Sequence, residues 1–202
     1  MKENQQSPIP LQVIETCARI YGPGLMPARV IRTARGMVTV STGGDAECAT
    51  GLARTTGAFD YTAAGPSNYP CAGDFVAVEE IQDPSIPFRI HGILPRRSLL
   101  SRRTAGKETA GQPLAANIDI VCIGMSLEGG RKCSPRAAER YATLAWDSGA
   151  VPVLILNKAD LAEDPDGAVL QMENSLPGVD TLLLSCVTGQ GIDTLEKRLG
   201  PG

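Results

Sequence analysis

Histidine is nearly missing from this chain: His91 is the only one, and none of the six cysteines (17, 48, 71, 122, 133 and 186) forms a C-x-x-C pair. These two scarcities argue against a zinc cluster and against a disulfide scaffold. Cys122 and Cys186 read instead as small strand residues in a reducing compartment, and His91, inside F-R-I-H-G-I-L, reads as structural. No apolar run approaches the roughly 20 residues that span a bilayer. The first ten residues are polar and proline-bearing, unlike a secretory leader. The expected location is therefore cytoplasmic, without a membrane partner. Aromatic residues amount to 4% of the chain, so there is little on which single-stranded bases could stack.

What is present divides in two. With 43% hydrophobic and 20% charged residues the chain is globular, and 202 residues suit one or two domains. Charge is uneven, +2 over residues 1–110 and −5 over 111–202. The change falls near residues 106–113, a glycine-containing polar stretch with the character of a linker. Before it, residues 28–35, 37–41, 49–55, 74–80 and 88–94 read as five short strands separated by Gly, Pro and Asn turns. Five strands of this length fit a small β barrel, for which an OB-fold and an SH3-like barrel leave similar traces. The expected organisation is an N-terminal segment (1–26), a barrel (27–95), a basic linker (96–113) and an α/β region (114–202).

In that last region strands and helices alternate. Residues 118–123, 151–156 and 181–185 are apolar strand candidates. Ser134 can cap a helix that begins at Pro135 and turns Ala138, Tyr141, Ala142 and Ala145 to one side, and Gly149 suits its end. A short helix is expected over 166–174, and a last one carries Ile192, Leu195 and Leu199, with Asp193 and Glu196 resembling a capping box. Three βα units imply a parallel sheet.

The strand at 151–156 runs into Asn157-Lys158-Ala159-Asp160, the N-K-x-D element with which GTPases read guanine. Guanine offers N1–H and N2–H2 on one edge, and a single carboxylate such as Asp160 accepts from both. Adenine would leave that carboxylate desolvated and unpaired, a loss of about 1–3 kcal/mol or more. Asn157 can bond the base or brace the loop, and the stem of Lys158 can lie over the ring. The position is apt, because open α/β sheets bind ligands at the carboxyl ends of their strands. The competing reading is a surface turn in which Asp160 caps the next helix. After the strand at 181–185, Ser185-Cys186-Val187 occupies the place of the Ser-Ala-x loop whose backbone N–H meets guanine O6, with Cys for the usual Ala.

A nucleotide hydrolase also needs G-x-x-x-x-G-K-[ST] for phosphate and magnesium, and no window of these residues satisfies it. Gly106-Lys107 is followed by Glu108 and has Ser101 at the first glycine position; residues 124–130 are followed by Arg131 where Lys and Ser should stand. Residues 112–119 (Q-P-L-A-A-N-I-D), residues 139–146 (E-R-Y-A-T-L-A-W), N-K-A-D-L and the Ser-Cys-Val loop together resemble the circularly permuted GTPases that help mature the small ribosomal subunit, the ribosome-small-subunit-dependent GTPase A family. In that family the base-reading loop precedes the phosphate loop, so an early N-K-x-D is in order. The resemblance favours OB over SH3-like for the barrel. It implies a chain that is the amino-terminal portion of a longer GTPase, an OB-fold β barrel followed by a partial α/β parallel-sheet GTPase domain. It implies GTP with Mg²⁺ as ligands of the full-length protein and zinc only in a carboxy-terminal domain outside these residues. The implied partners are the small ribosomal subunit, its rRNA and guanine nucleotide. The 202 residues alone are expected to be inactive, with the sheet edge that should meet the phosphate-loop strand left open.

Arg96, Arg97, Arg102, Arg103 and Lys107 fall within twelve residues. They can track an RNA backbone beside the barrel, and a solvated linker explains them equally well. The resemblance to an rRNA-binding family favours the first reading, and Arg29, Arg32, Arg35 and Arg54 would extend the patch. Few aromatics accompany them beyond Phe59, Tyr61, Tyr69, Phe75 and Phe88, which points to shape and backbone recognition of folded RNA.

Overall fold

The computed structural model describes residues 9–34, 36–43, 49–102, 111–128 and 133–200. The chain divides into two compact units, Met1–Asn117 and Ile118–Gly202.

In the first unit, β1 (Met26–Ala34), β2 (Met37–Ser41), β3 (Thr50–Thr55), β4 (Phe75–Glu80) and β5 (Phe88–Ile93) close into a barrel of order β1-β2-β3-β5-β4. All pairings are antiparallel except β3 with β5, which run parallel and shut the cylinder. This is the expected OB-type barrel. Inward positions alternate along the strands and are filled by Ala28, Val30, Val38, Val40, Ala53, Val76, Val78, Phe88 and Ile90. β-branched side chains suit this surface, and each buried Val or Ile contributes about 1.5–3 kcal/mol.

Strand β4 departs from alternation, with Phe75, Val76, Ala77 and Val78 all buried. Its outer side is covered by α1 (Leu11–Tyr21), whose Cys17 packs with Phe75, Ala77 and Leu94 while Val13, Tyr21 and Leu25 close over them. The Tyr21 ring lies so close to β5 that a Cβ on Gly92 would fall 1.8 Å from its hydroxyl oxygen. A residue without a side chain is required at that crossing. A short helix, α2 (Gly57–Thr62), joins β3 to β4 and is capped by Thr56, whose hydroxyl accepts the Phe59 N–H at 3.2 Å.

The basic linker expected over 96–113 is in part a folded ribbon. Strands β6 (Leu99–Arg102) and β7 (Gln112–Ala116) pair antiparallel, and Ala72 bridges to Ala115. The short apolar runs Leu99-Leu100 and Leu114-Ala115-Ala116 carry this signal, but four arginines and a lysine nearby mask it. Residues 103–110 lie outside the described set. Asn117 ends the unit in the left-handed region (φ 54°), a conformation that Asn tolerates better than most residues. Its carboxamide accepts the Arg97 N–H at 2.9 Å and donates to the Gly73 carbonyl at 3.0 Å.

In the second unit β8 (Ile120–Ser126), β9 (Val151–Asn157) and β10 (Asp180–Leu183) form a parallel sheet of order β10-β9-β8. Helices α3 (Pro135–Asp147) and α4 (Pro165–Ser175) flank it, and α5 (Ile192–Leu199) follows β10. The core joins Ile123, Met125, Leu127, Ala138, Ala142, Leu154, Leu156, Met172, Leu176 and Val179. Two expected caps do not form. Ser134 offers only its backbone carbonyl, to Ala137 and Ala138, and α5 starts from Gly191 at φ 74° without a side-chain cap. Pro135 presets the first turn of α3 and removes one of the unsatisfied N–H groups at its start, which lowers the demand there.

Candidate functional site

Strands β9 and β10 are parallel neighbours, so the loops that leave their carboxyl ends lie side by side. The first is Asn157 to Asp160, the second Ser185 to Val187. The backbone links them: the Leu184 N–H donates to the Leu156 carbonyl at 2.8 Å, and the Ala159 N–H to the Leu184 carbonyl at 3.0 Å.

Lys158 is held at φ 66° and ψ 42°. For a side-chain-bearing residue this left-handed geometry costs on the order of 1–2 kcal/mol. The Asn157 carboxamide offsets that cost by accepting the Lys158 N–H at 2.7 Å, and the Asn157 carbonyl accepts the Leu127 N–H at 2.9 Å. Asn157 thus braces the loop. The Lys158 ammonium pairs with Glu128, beyond the end of β8. The 3₁₀ turn over Ala159–Leu161 follows, burying Ala159 and leaving Asp160 exposed.

Ser185 is fully buried, and its hydroxyl donates to Asp160 Oδ1 at 2.5 Å while accepting the Thr188 N–H at 3.2 Å. The backbone of the second loop turns tightly, with Ser185 N–H to the Gln190 carbonyl (3.0 Å) and Gly189 N–H to the Ser185 carbonyl (2.9 Å). Gly191 permits the return at φ 74°, where a Cβ would meet the Leu183 carbonyl at 2.2 Å. Cys186 and Val187 are exposed, Val187 at 85%. The reading of Asp160 as a helix cap does not hold: α4 is capped by Asp164, whose carboxylate accepts the Gly167 N–H at 2.9 Å. The arrangement is a solvent-facing carboxylate with one oxygen fixed, lone pairs remaining on both, beside an exposed loop backbone. It is shaped to accept paired donors.

No comparable donor set exists for metal: among the described residues no group of three or more His, Cys, Asp or Glu side chains could hold an ion.

The basic cluster is redistributed. Arg96, expected in the RNA-facing set, is engaged within the barrel unit. Its guanidinium donates to Asp74 Oδ1 (2.7 Å) and Oδ2 (2.8 Å) and to the Ser67 (2.7 Å) and Tyr69 (2.9 Å) carbonyls. A fork with its donors so occupied has little left for phosphate. Asp74 is fully buried and also accepts the Cys71 N–H at 2.8 Å. The Asp74 hydrogen bonds, set against burial, hold the Arg96 pKa above the usual guanidinium value. Burial, aided by the Asp74 charge, pushes the Cys71 thiol up to about 12. This network is hidden from sequence reading because Asp74 and Arg96 stand 22 residues apart; the signal available is an aspartate placed directly before an apolar strand. Arg97 and Arg102 are exposed, and Arg103 and Lys107 lie outside the described residues. Arg29 lies over the Phe75 ring at 5.8 Å, while Arg32 and Arg54 are exposed on the barrel strands and Arg35 is outside the described set. His91 is an outward barrel residue bonded to Glu79 at 3.0 Å.

A five-stranded OB-type barrel followed by a parallel sheet with these two loops is the fold of the circularly permuted GTPases. The chain matches the crystal structure of YjeQ from Thermotoga maritima with a TM-score of 0.65 at 22% identity, covering 87% of this chain and 57% of that one. It matches YloQ, described as a circularly permuted GTPase, with a TM-score of 0.60 at 19% identity, over 87% of this chain and 56% of that one. The sequence model of the RsgA GTPase family matches residues 93–201, and the chain belongs to that family. Among curated relatives, the small ribosomal subunit biogenesis GTPase RsgA of Streptomyces avermitilis is 40% identical over 184 residues, 89% of this chain and 46% of its own length. The protein of the same name from Streptomyces coelicolor is 39% identical over 89% of this chain and 46% of its own. RsgA 2 of Lactiplantibacillus plantarum is 39% identical over 74% of this chain and 41% of its own. The chain spans about half the length of the curated relatives it matches.

Proposed function

We propose that this chain is the guanine-reading portion of a GTPase that assists maturation of the small ribosomal subunit. The family membership and the names of the curated relatives support the class of activity and the partner. One observation carries the specificity: the Asp160 carboxylate, exposed at the carboxyl end of β9, is anchored by the buried hydroxyl of Ser185 from the neighbouring loop. Fixed in advance, it accepts guanine N1–H and N2–H2 with little loss of orientational entropy on binding. Asn157 holds the loop, Lys158 covers the ring with its stem, and the backbone N–H groups of Cys186 and Val187 face O6. Phosphate and Mg²⁺ are handled by residues outside these 202, since no window of them is a phosphate loop. When bound there, Mg²⁺ neutralises charge developing on the transferred phosphoryl group. The barrel unit, with Arg102 on its ribbon and Arg97 just before it, contacts rRNA.

The test is Asp160→Asn in the full-length protein, with GTP and XTP titrated in parallel. The carboxamide can donate to xanthine O2 where guanine presents N2–H2, so GTP affinity should fall at least tenfold and XTP affinity rise. GTP affinity unchanged by the substitution would remove Asp160 from the site.

A further inference from the structure

The pair formed by Lys158 and Glu128 is not explained by base reading alone. We propose that Glu128 is a positioning residue for guanine recognition: it draws the Lys158 ammonium across the carboxyl ends of β9 and β8, and so lays the Lys158 stem where it covers the base. The inference rests on the proposed reading of Asn157, Lys158 and Asp160 and adds to it a residue from a different strand.

Three observations support it. Lys158 is fixed at its backbone by a left-handed conformation, the Asn157 carboxamide and the buried Ala159 that follows. Only the side chain remains to be directed. Its ammonium is taken by Glu128, which lies 30 residues away in sequence yet next to it in space because β8 and β9 pair from Ile120–Val151 to Ser126–Asn157. Glu128 is in turn set by its surroundings. The Ser126 hydroxyl accepts its N–H at 3.3 Å, the preceding Leu127 is buried in the core, and the Leu127 N–H is tied to Asn157. The loop after β8 is therefore laced to the N-K-x-D loop at both backbone and side-chain level. A lysine stem pulled along the strand ends presents its methylenes as one wall of a slot whose edge is Asp160.

Both partners are about half exposed, 45% for Lys158 and 48% for Glu128. A pair of this kind is modest and sensitive to salt. That sensitivity gives a readout which a merely structural residue would not move. Guanosine carries no charge, so its binding has no direct ionic component. The part of any fall in guanosine affinity with rising salt that Glu128→Gln abolishes then reports the Glu128–Lys158 pair.

The experiment titrates guanosine into the isotopically labelled 202-residue chain, followed by NMR shifts of the loop amides, at low and at roughly tenfold higher salt, across which exposed pairs are progressively screened. The comparison is between the parent, Glu128→Gln and Asp160→Asn. In the parent, affinity should fall between the two salts. In Glu128→Gln it should be about two- to fivefold weaker at low salt, the range that an exposed pair supports, and should no longer vary with salt. Glu128→Gln with parent affinity, or with the parent's salt dependence, would overturn the positioning role. If Asp160→Asn weakens binding while Glu128→Gln does not, base reading stands and the role of Glu128 falls. If the parent shows no guanosine shifts at any concentration, both fall together. If Glu128→Gln instead tightened guanosine binding, the pair would be holding Lys158 away from the base, again against the proposal.

Discussion

At the scale of single residues the molecule separates two kinds of charge. Asp160 is exposed and half-anchored, while Asp74 is fully buried and closed off. The first is available to a ligand and the second is not. Arg96 stands 16% exposed against Asp74, and removing it strands a charge in the barrel wall. Arg96→Ala should cost about 3–5 kcal/mol of stability, and adding Asp74→Ala should restore a good part of it. Urea unfolding of the two variants checks this; a loss below about 1 kcal/mol for Arg96→Ala would show the pair to be superficial. Cys71 gives a pH test beside the same network. Its thiol rises from an ordinary value of 9.0 to about 12 in the folded chain. The folded state thus keeps a proton that the unfolded state releases, so this contribution is complete below pH 9 and is lost as pH climbs toward 12. Cys71→Ala should therefore lose less stability than the parent between pH 9 and 12, whatever its effect at neutral pH. Parallel stability curves for the two proteins across that interval would count against the assignment.

At the scale of elements the sequence is legible wherever one face is apolar and the turns are marked. The patterned run 37–41 coincides with β2, and the other four barrel strands shift by one or two residues from their sequence patterns. The strand expected over 181–185 runs over Asp180–Leu183, because the Leu184 carbonyl accepts the Ala159 N–H of the neighbouring loop and the Ser185 N–H closes its own loop on the Gln190 carbonyl. Helix α1 is hidden inside an N-terminal segment although Val13, Cys17, Ile20 and Tyr21 repeat at helical spacing. Its partner face on β4 is far along the chain, and only that partner makes an 11-residue helix stable. The N-K-x-D loop is legible as a motif, but its bracing is not: Ser185 and Glu128 meet it through strand pairing, which no local pattern encodes. The ribbon β6–β7 is concealed by its own charges. Arg97→Ala with Arg102→Ala should flatten the salt dependence of rRNA binding, the logarithmic slope falling by about 0.7–0.9 for each phosphate no longer neutralised. A slope unaltered in the double variant would return the ribbon arginines to a solvent role.

At the scale of the whole molecule the division of charge follows the division of structure. Residues 111–117 carry no charged side chain, so the unit Met1–Asn117 keeps the +2 and Ile118–Gly202 the −5. Within the first unit the barrel residues 27–95 carry −2, and the positive excess falls on residues 96–108, which carry +4. Incubated alone with GTP and Mg²⁺, the 202-residue chain should release no phosphate above the buffer rate. Sustained turnover in the purified chain would show that a phosphate site exists within it.

The barrel is closed by pairings that all lie between Met26 and Ile93, and β3 finds β5 without help from any later residue. In a chain made from its amino end, that cylinder can shut while the sheet unit is still being synthesised. The loops after β9 and β10 come next, on strands that are neighbours in both sequence and space. Birth order therefore runs from a closed barrel to the paired loops after β9 and β10, so that a nascent copy holds a finished amino-terminal module before the sheet that brings those loops together exists.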